Sequence, residues 1–239
     1  MTTLSIVLPC FNEAENLPLI LERFANVINR SDVEVILVDN GSTDKTPSIL
    51  PELLHSYTFA SSYRVPVNKG YGYGLLCGLN QCKGKYLAWT HADMQTDPYD
   101  VLRGLELLES SFDPSTVFVK GNRICRPYSD QFFTICMSFF CSFILKSRLW
   151  DINAQPNIVS RKFFTKFQSP PHDFSFDLYY YLMAVKNGLQ IKRFNVRFHE
   201  RIYGMSHWNI NWQEKLKFIR RTLTFTFSLN RSLRSRRCL

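Results

Sequence analysis

Apolar residues in the first half of the chain come in short unbroken runs separated by longer amphipathic stretches. Leu4–Leu8, Val33–Val38, Lys85–Thr90 and Thr116–Lys120 are brief and rich in Val, Ile, Leu and aromatic residues. Runs of that length and composition read as strands buried on both faces of a sheet. Between them the spacing predicts helices over about Glu15–Asn29, Lys45–Ser56, the stretch from Asn68-Lys69-Gly70 through Asn80, and Tyr99–Glu109. Pro47 is tolerated because it falls in a first helical turn. A further short strand is expected near Tyr63–Val67. Strands and helices alternating at this spacing predict an α/β fold, a mainly parallel central sheet flanked by helices. After Arg123 the alternation gives way to longer helical segments. These include the apolar Phe132–Leu145 and a helix from the His172–Asp177 segment through Lys186, stopped by Asn187-Gly188. A strand over Gln190–Val196 follows. One domain over 1–239 is expected, organised as 1–123, 124–208 and a basic helix or tail over 209–239.

Composition agrees with a folded enzyme: 239 residues, 45% of them hydrophobic, can bury a substantial core. The seven cysteines are an odd number without metal spacing, and Cys136 and Cys141 lie in an apolar stretch and read as buried thiols. A reducing, cytoplasmic setting is the expectation. The N-terminal MTTLSIVLP carries no signal-peptide pattern. Net charge is +9, with Arg220, Arg221, Arg231, Arg234, Arg236 and Arg237 crowding the end. Nucleic acid is not the expected partner, because no recognition motif accompanies the charge. Apolar residues interleave with the last arginines, which fits either a segment peripheral on the cytoplasmic face of an anionic membrane or a solvated terminus. The fourteen residues of Phe132–Leu145 fall short of the roughly 18–20 needed to span a bilayer. They read as a core helix, a membrane-resting helix or a partner interface.

Three strand ends deliver polar residues to one edge: PCFNEAEN at Pro9–Asn16, VDNGSTDKT at Val38–Thr46 and HADMQ at His91–Gln95. Open α/β sheets bind ligands at the carboxyl ends of their strands. In an extended segment Asp93 and Gln95, two apart, send their side chains to one side. Two hard oxygen ligands plus a substrate diphosphate suit a hydrated divalent cation, which protein alone rarely cages. The alternative is a polar turn before a helix with Asp97 as its cap. In NKGYGYG the glycine spacing is not that of a dinucleotide fold, and Lys69 is placed to meet a phosphate or to sit on the surface.

These four motifs, in this order and spacing, resemble a family-2 glycosyltransferase of the GT-A fold, nearest to dolichol- and polyprenyl-phosphate sugar synthases. The resemblance runs from about Ser5 to about Trp208. It implies a nucleotide diphosphate sugar donor, a divalent metal (Mg or Mn) and inversion at the anomeric carbon. It further implies that Pro9, Asn12, Glu13 and Asp39 line the nucleoside pocket and that Asp93 is the central metal carboxylate, assisted by Gln95. The 1–123 segment then becomes the nucleotide-sugar half and 124–208 the acceptor half.

Ahead of its last motif the chain departs from the family pattern at three places. His91 stands where the metal motif has its first acid, and joins the metal or stays outside its shell. Asn40 replaces a second aspartate beside the nucleotide. DINAQPNIVSR, Asp151–Arg161, occupies the place of D-x-x-S-G-F-R, and its Gln155-Pro156-Asn157 core implies a changed acceptor or sugar pocket. Asp177 aligns roughly with an acceptor-side acid: a general base if the acceptor is a hydroxyl, a structural or sugar-positioning group if it is a phosphate. Asp173, four residues before it, reads as an N-cap that can share its helical face. RFHERIYGMSHW resembles R-x-x-G-x-S-K through Arg201, Gly204 and Ser206, with His207 for lysine. A guanidinium there suits a leaving diphosphate. Arg123, Arg126 and Lys146 are candidates for an acceptor phosphate beside the apolar helix. The expected function is inverting sugar transfer to a polyprenyl phosphate or membrane-associated glycan. The alternatives are a degenerate nucleotide-sugar binder and a sugar nucleotidyltransferase.

Overall fold

The computed structural model describes residues 1–167, 169–203 and 212–235. In chain order the elements are β1 (Leu4–Cys10), α1 (Leu17–Val27), β2 (Val33–Asn40), α2 (Thr46–Leu54), β3 (Ala60–Val65), α3 (Tyr71–Gln81), β4 (Tyr86–Trp89) and α4 (Pro98–Glu109). There follow β5 (Val117–Ile124), α5 (Tyr128–Leu145), β6 (Asn157–Ser160), α6 (Arg161–Phe164), α7 (Ser175–Lys186), β7 (Gln190–Arg197) and α8 (Trp212–Ser235). One seven-stranded sheet runs in the order β3-β2-β1-β4-β6-β5-β7. All pairings are parallel except those of β6, which is antiparallel to both β4 and β5.

Strand β1 shows why the apolar runs are unbroken. Leu4, Ile6 and Leu8 pack into one core and Val7 into the other, on opposite faces of the sheet. Helices α1, α2 and α4 cover the first face, and α3 and α7 the second. From β1 the chain winds outward through β2 and β3, then returns to place β4 on the other side. A crevice opens at such a reversal, beyond the carboxyl ends of β1 and β4.

Several expectations are corrected. The third strand covers Ala60–Val65 rather than Tyr63–Val67, because it is a largely exposed edge strand without an apolar run. The antiparallel β6 was not expected. Helix α5 begins at Tyr128, so the apolar segment belongs to an 18-residue helix long and apolar enough to cross a membrane by length and composition, though only 17% buried. Its inner side, Ser138, Cys141 and Leu145, is buried, while Tyr128, Phe132, Ile135, Phe139 and Phe143 stand exposed. Cys136 is therefore exposed rather than buried; Cys141 is buried as expected. The basic C-terminal segment is helical through Ser235 and packs on α5, Phe218 against Phe133 and Phe227 against Phe140.

Candidate active site

The first two strand-end loops are stitched together. Strands β1 and β2 run in register to their ends, with Cys10 beside Asp39. Beyond them Asn12 adopts a left-handed backbone (φ 58°). Its Oδ1 accepts from the Thr43 N–H at 2.9 Å and the Asp44 N–H at 3.3 Å, while its own N–H donates to Ser42 Oγ at 3.0 Å. The Glu13 N–H donates to Thr46 Oγ1 at 3.0 Å. Pro9 lies at the half-buried end of β1. Asp39 is buried: its Oδ1 accepts from the Ser42 N–H at 2.9 Å, and its Oδ2 faces Arg64 Nε at 3.5 Å. Arg64 projects from the exposed edge strand and was missed, since nothing in its surroundings marks it. Asn40 is buried and donates to the Gly70 carbonyl at 3.0 Å, tying the end of β2 to the start of α3. Lys69 is exposed, its ammonium 5.1 Å from the centre of the Tyr73 ring.

The His91–Gln95 segment, expected to bind metal, is bent and not extended. Met94 has φ 59°, and the Gln95 N–H closes on Asp93 Oδ1 at 3.1 Å. Asp93 and Gln95 therefore converge by chain reversal, which corrects the strand-alternation argument. Asp97 does cap α4, accepting from the Tyr99 N–H. Asp93 is 3% exposed and pairs through Oδ2 with Arg201 at 2.7 Å. Arg201 Nε also lies 3.4 Å from Gln95 Oε1. The Arg201 segment is strapped here by backbone: the His199 N–H donates to the Gln95 carbonyl at 2.9 Å, and Gln95 Nε2 to the His199 carbonyl at 3.2 Å. Gly204, Ser206 and His207 of that motif lie outside the described residues.

Charge in this crevice is crowded. Burial pushes the Glu13 carboxyl up to about 7, helped by nearby Asp93 and opposed by the amide of Asn16. Burial also pushes His91 down, so its imidazole is neutral at neutral pH. Its Nε2 is shielded and has no hydrogen-bond partner among the described residues. Among those residues no cluster of three His, Cys, Asp or Glu side chains forms a closed cage. One carboxylate, one amide oxygen and one neutral imidazole fit a divalent cation that keeps positions for substrate oxygens.

The acceptor-side candidates lie on the other flank of β4. Asp177 is buried and accepts three hydrogen bonds, from Trp89 Nε1 (2.7 Å) and Asn157 Nδ2 (3.2 Å) on Oδ1 and from the Tyr71 hydroxyl (3.2 Å) on Oδ2. Buried Gln155 donates through Nε2 to the same Tyr71 oxygen. Asp173 precedes α7, so it does not share a helical face with Asp177. The N-cap is Phe174, one residue later than expected, and Asp173 before it accepts from the Ser175 N–H at 2.9 Å. Arg123 forks onto buried Asp151. Arg126 has a single side-chain hydrogen bond, to Thr134 Oγ1 at 2.8 Å, and no acidic partner among the described residues. Both guanidinium groups lie over the Phe198 ring, at 5.3 and 5.5 Å. Burial, then the charge of Arg123, lowers the pKa of Arg126. Lys146 follows the far end of the 18-residue α5. At about 1.5 Å per residue that is roughly 27 Å from Arg126, too far to share one phosphate.

Residues 5–172 match the model of the glycosyl transferase family 2. The chain belongs to that family. Among curated relatives of this family-2 glycosyltransferase is an undecaprenyl-phosphate 4-deoxy-4-formamido-L-arabinose transferase of Pseudomonas fluorescens, 35% identical over 123 residues. That match covers 50% of this chain and 36% of the relative. The enzyme of the same name from Photorhabdus laumondii is 34% identical over 116 residues, covering 46% of this chain and 34% of the relative. The matched part thus spans about a third of these relatives' length. Among solved structures, glucosyl-3-phosphoglycerate synthase of Mycobacterium tuberculosis, in complex with Mn2+, UDP and glucosyl-3-phosphoglycerate, superposes with a TM-score of 0.73 at 18% identity. It covers 96% of this chain and 80% of that one. The complex of that synthase with Mg2+ and UDP gives 0.71 at 16% identity, covering 95% and 80%. The shared fold is GT-A.

Proposed function

We propose that this chain moves a sugar from a nucleotide diphosphate sugar to a polyprenyl phosphate, with inversion at the anomeric carbon, at a membrane surface. The observation that carries the reading is the Asp93–Arg201–Gln95 constellation at the sheet edge, beside the stitched Asn12 and Asp39 loops. It joins a carboxylate suited to a metal and a guanidinium suited to a diphosphate.

In this reading Pro9, Asn12, Glu13, Asp39 and Asn40 hold the nucleoside, with Lys69 toward its phosphates. Asp93 and Gln95, with the neutral His91, would hold Mg2+ or Mn2+, which supplies charge neutralisation at the leaving diphosphate. Arg201 binds that diphosphate in a fork as negative charge develops on it. An oxygen of the acceptor phosphate attacks the anomeric carbon; the bond to the diphosphate breaks and its electron pair leaves with the nucleoside diphosphate. A phosphate nucleophile is already anionic, so no proton need be removed. That agrees with Asp177, whose two oxygens are occupied by three donors and which serves as a positioning group. Of the two guanidinium groups over Phe198, Arg126 is the one without an acidic partner among the described residues; it takes the acceptor phosphate with Arg123 beside it, and Gln155 shapes the acceptor pocket. The relatives named for undecaprenyl-phosphate transfer support this acceptor. So does α5, whose exposed aromatic row leads to basic Lys146 and Arg148, as a helix lying on anionic lipid requires.

The test supplies UDP-, GDP- and dTDP-sugars with undecaprenyl phosphate in anionic vesicles, with Mg2+, Mn2+ or chelator, and measures nucleoside diphosphate release. Lipid-dependent, chelator-sensitive release from one donor is expected. Tight donor binding without release would replace the reading by that of a degenerate binder, and pyrophosphate release by that of a nucleotidyltransferase.

A further inference from the structure

Lys120 is fully buried in the middle of β5, a position where lysine is almost never found without partners. Its register neighbours are Asn157 on β6 and Arg193 on β7. The Lys120 Nζ donates to the Ala154 carbonyl at 2.7 Å and to Asn157 Oδ1 at 2.8 Å, and lies 5.4 Å from the centre of the Tyr181 ring. The two acceptors bracket Gln155.

Lysine and carboxylate agree on the orientation of the Asn157 amide between them. With Oδ1 held by the lysine, Nδ2 is directed to Asp177 Oδ1. The carboxylate, an acceptor only, also accepts a hydrogen bond from the Tyr71 hydroxyl on Oδ2. That leaves the Tyr71 oxygen to accept from Gln155 Nε2. Both arms thus donate toward Asp177, Asn157 from one side and Gln155 through Tyr71 from the other, while Lys120 anchors the segment that carries Gln155 and Asn157. Gln155 Oε1 is buried and without a hydrogen-bond partner among the described residues. Without the lysine the Ala154 carbonyl and Asn157 Oδ1 lose their buried donor, and the segment carrying Gln155 loses both anchors.

We infer that Lys120 is a positioning residue for transfer: by holding the Ala154 carbonyl and the Asn157 side chain it pins the segment between them and so the orientation of Gln155 on the acceptor side of the site. The inference rests on the transferase reading for its functional half, and on geometry alone for its structural half. Lys120→Met keeps an unbranched side chain in the same space and removes the donor. One buried hydrogen bond of about 1–1.5 kcal/mol corresponds to roughly a tenfold change.

The experiment compares Lys120→Met, Gln155→Ala and the double variant under saturating donor. The expected result is a roughly tenfold loss of kcat/KM for polyprenyl phosphate in each, donor KM within about twofold of the parent, and no further loss in the double variant. Unchanged kinetics in Lys120→Met, or losses that multiply, would overturn the proposal. The side-chain amide NMR signals of Asn157 and Gln155 give a readout independent of turnover. Both should shift in folded Lys120→Met, and a Gln155 signal that stays put refutes the anchoring even if no transfer is found. Transfer that fails in the parent protein while both amides respond would count against the transferase reading instead.

Discussion

Removing the Arg123 guanidinium separates a structural ion pair from an acceptor contact. Asp151 is 3% exposed, and among the described residues its carboxylate takes its hydrogen bonds from Arg123: Nε at 3.0 Å from Oδ1, Nη2 on the same oxygen, and the Arg123 N–H at 2.9 Å from Oδ2. Burial raises the Asp151 pKa, but the charge and hydrogen bonds of Arg123 outweigh it and hold the group below the ordinary carboxylate range. The pair therefore stabilises the fold at neutral pH and loses that contribution as pH falls through the lowered value. Arg123→Ala leaves a buried carboxylate with one backbone donor, a loss of about 3–5 kcal/mol. For a chain of this size each kcal/mol moves Tm by about 2–4 °C, so a fall of roughly 6–20 °C is expected at pH 7 by circular dichroism. Arg123→Met combined with Asp151→Asn removes both charges, keeps a residue type that tolerates the left-handed backbone at 151 (φ 39°), and should recover most of the loss. Arg126→Ala, by contrast, should weaken acceptor binding with a smaller change in Tm. A Tm for Arg123→Ala within about 2 °C of the parent would refute this division of roles.

Asp93→Asn and Arg201→Ala should each lower turnover by about two to three decades, the typical effect of losing one contact to developing charge; steady-state kinetics with near-parental kcat in either variant would reject the assigned role. Burial lowers Lys120 from 10.5 to about 7, so between those values the folded protein binds fewer protons than the unfolded chain. Stability should therefore rise with pH across that window in urea titrations. The slope should diminish in Lys120→Met, and an unchanged slope would exclude Lys120 as its source.

The parallel strands were legible because both faces are buried and the apolar run has no gaps, as in β1 and β2. Asp39 and Asp93 were legible because an acid at such a strand end is placed at the sheet edge. Strand β6 was not, being four residues long, polar at both ends and antiparallel. The edge strand β3 was misplaced for want of an apolar face. In α5 apolar residues run all round the helix, so its sequence carries little phase information, and Cys136 was put on the wrong side. Lys120 looked like the polar end of a strand. Only the cross-strand register with Asn157 shows it to be central, and register is invisible in a single segment.

The central claim is tested most directly by mass spectrometry of the lipid product after incubation with the accepted nucleotide sugar, divalent metal and undecaprenyl phosphate. A glycosyl phosphoryl polyprenol, with the added sugar inverted at its anomeric carbon and one nucleoside diphosphate released per product, is the predicted result. Undecaprenyl phosphate recovered unchanged, while the donor binds and Asp93→Asn abolishes that binding, would contradict it.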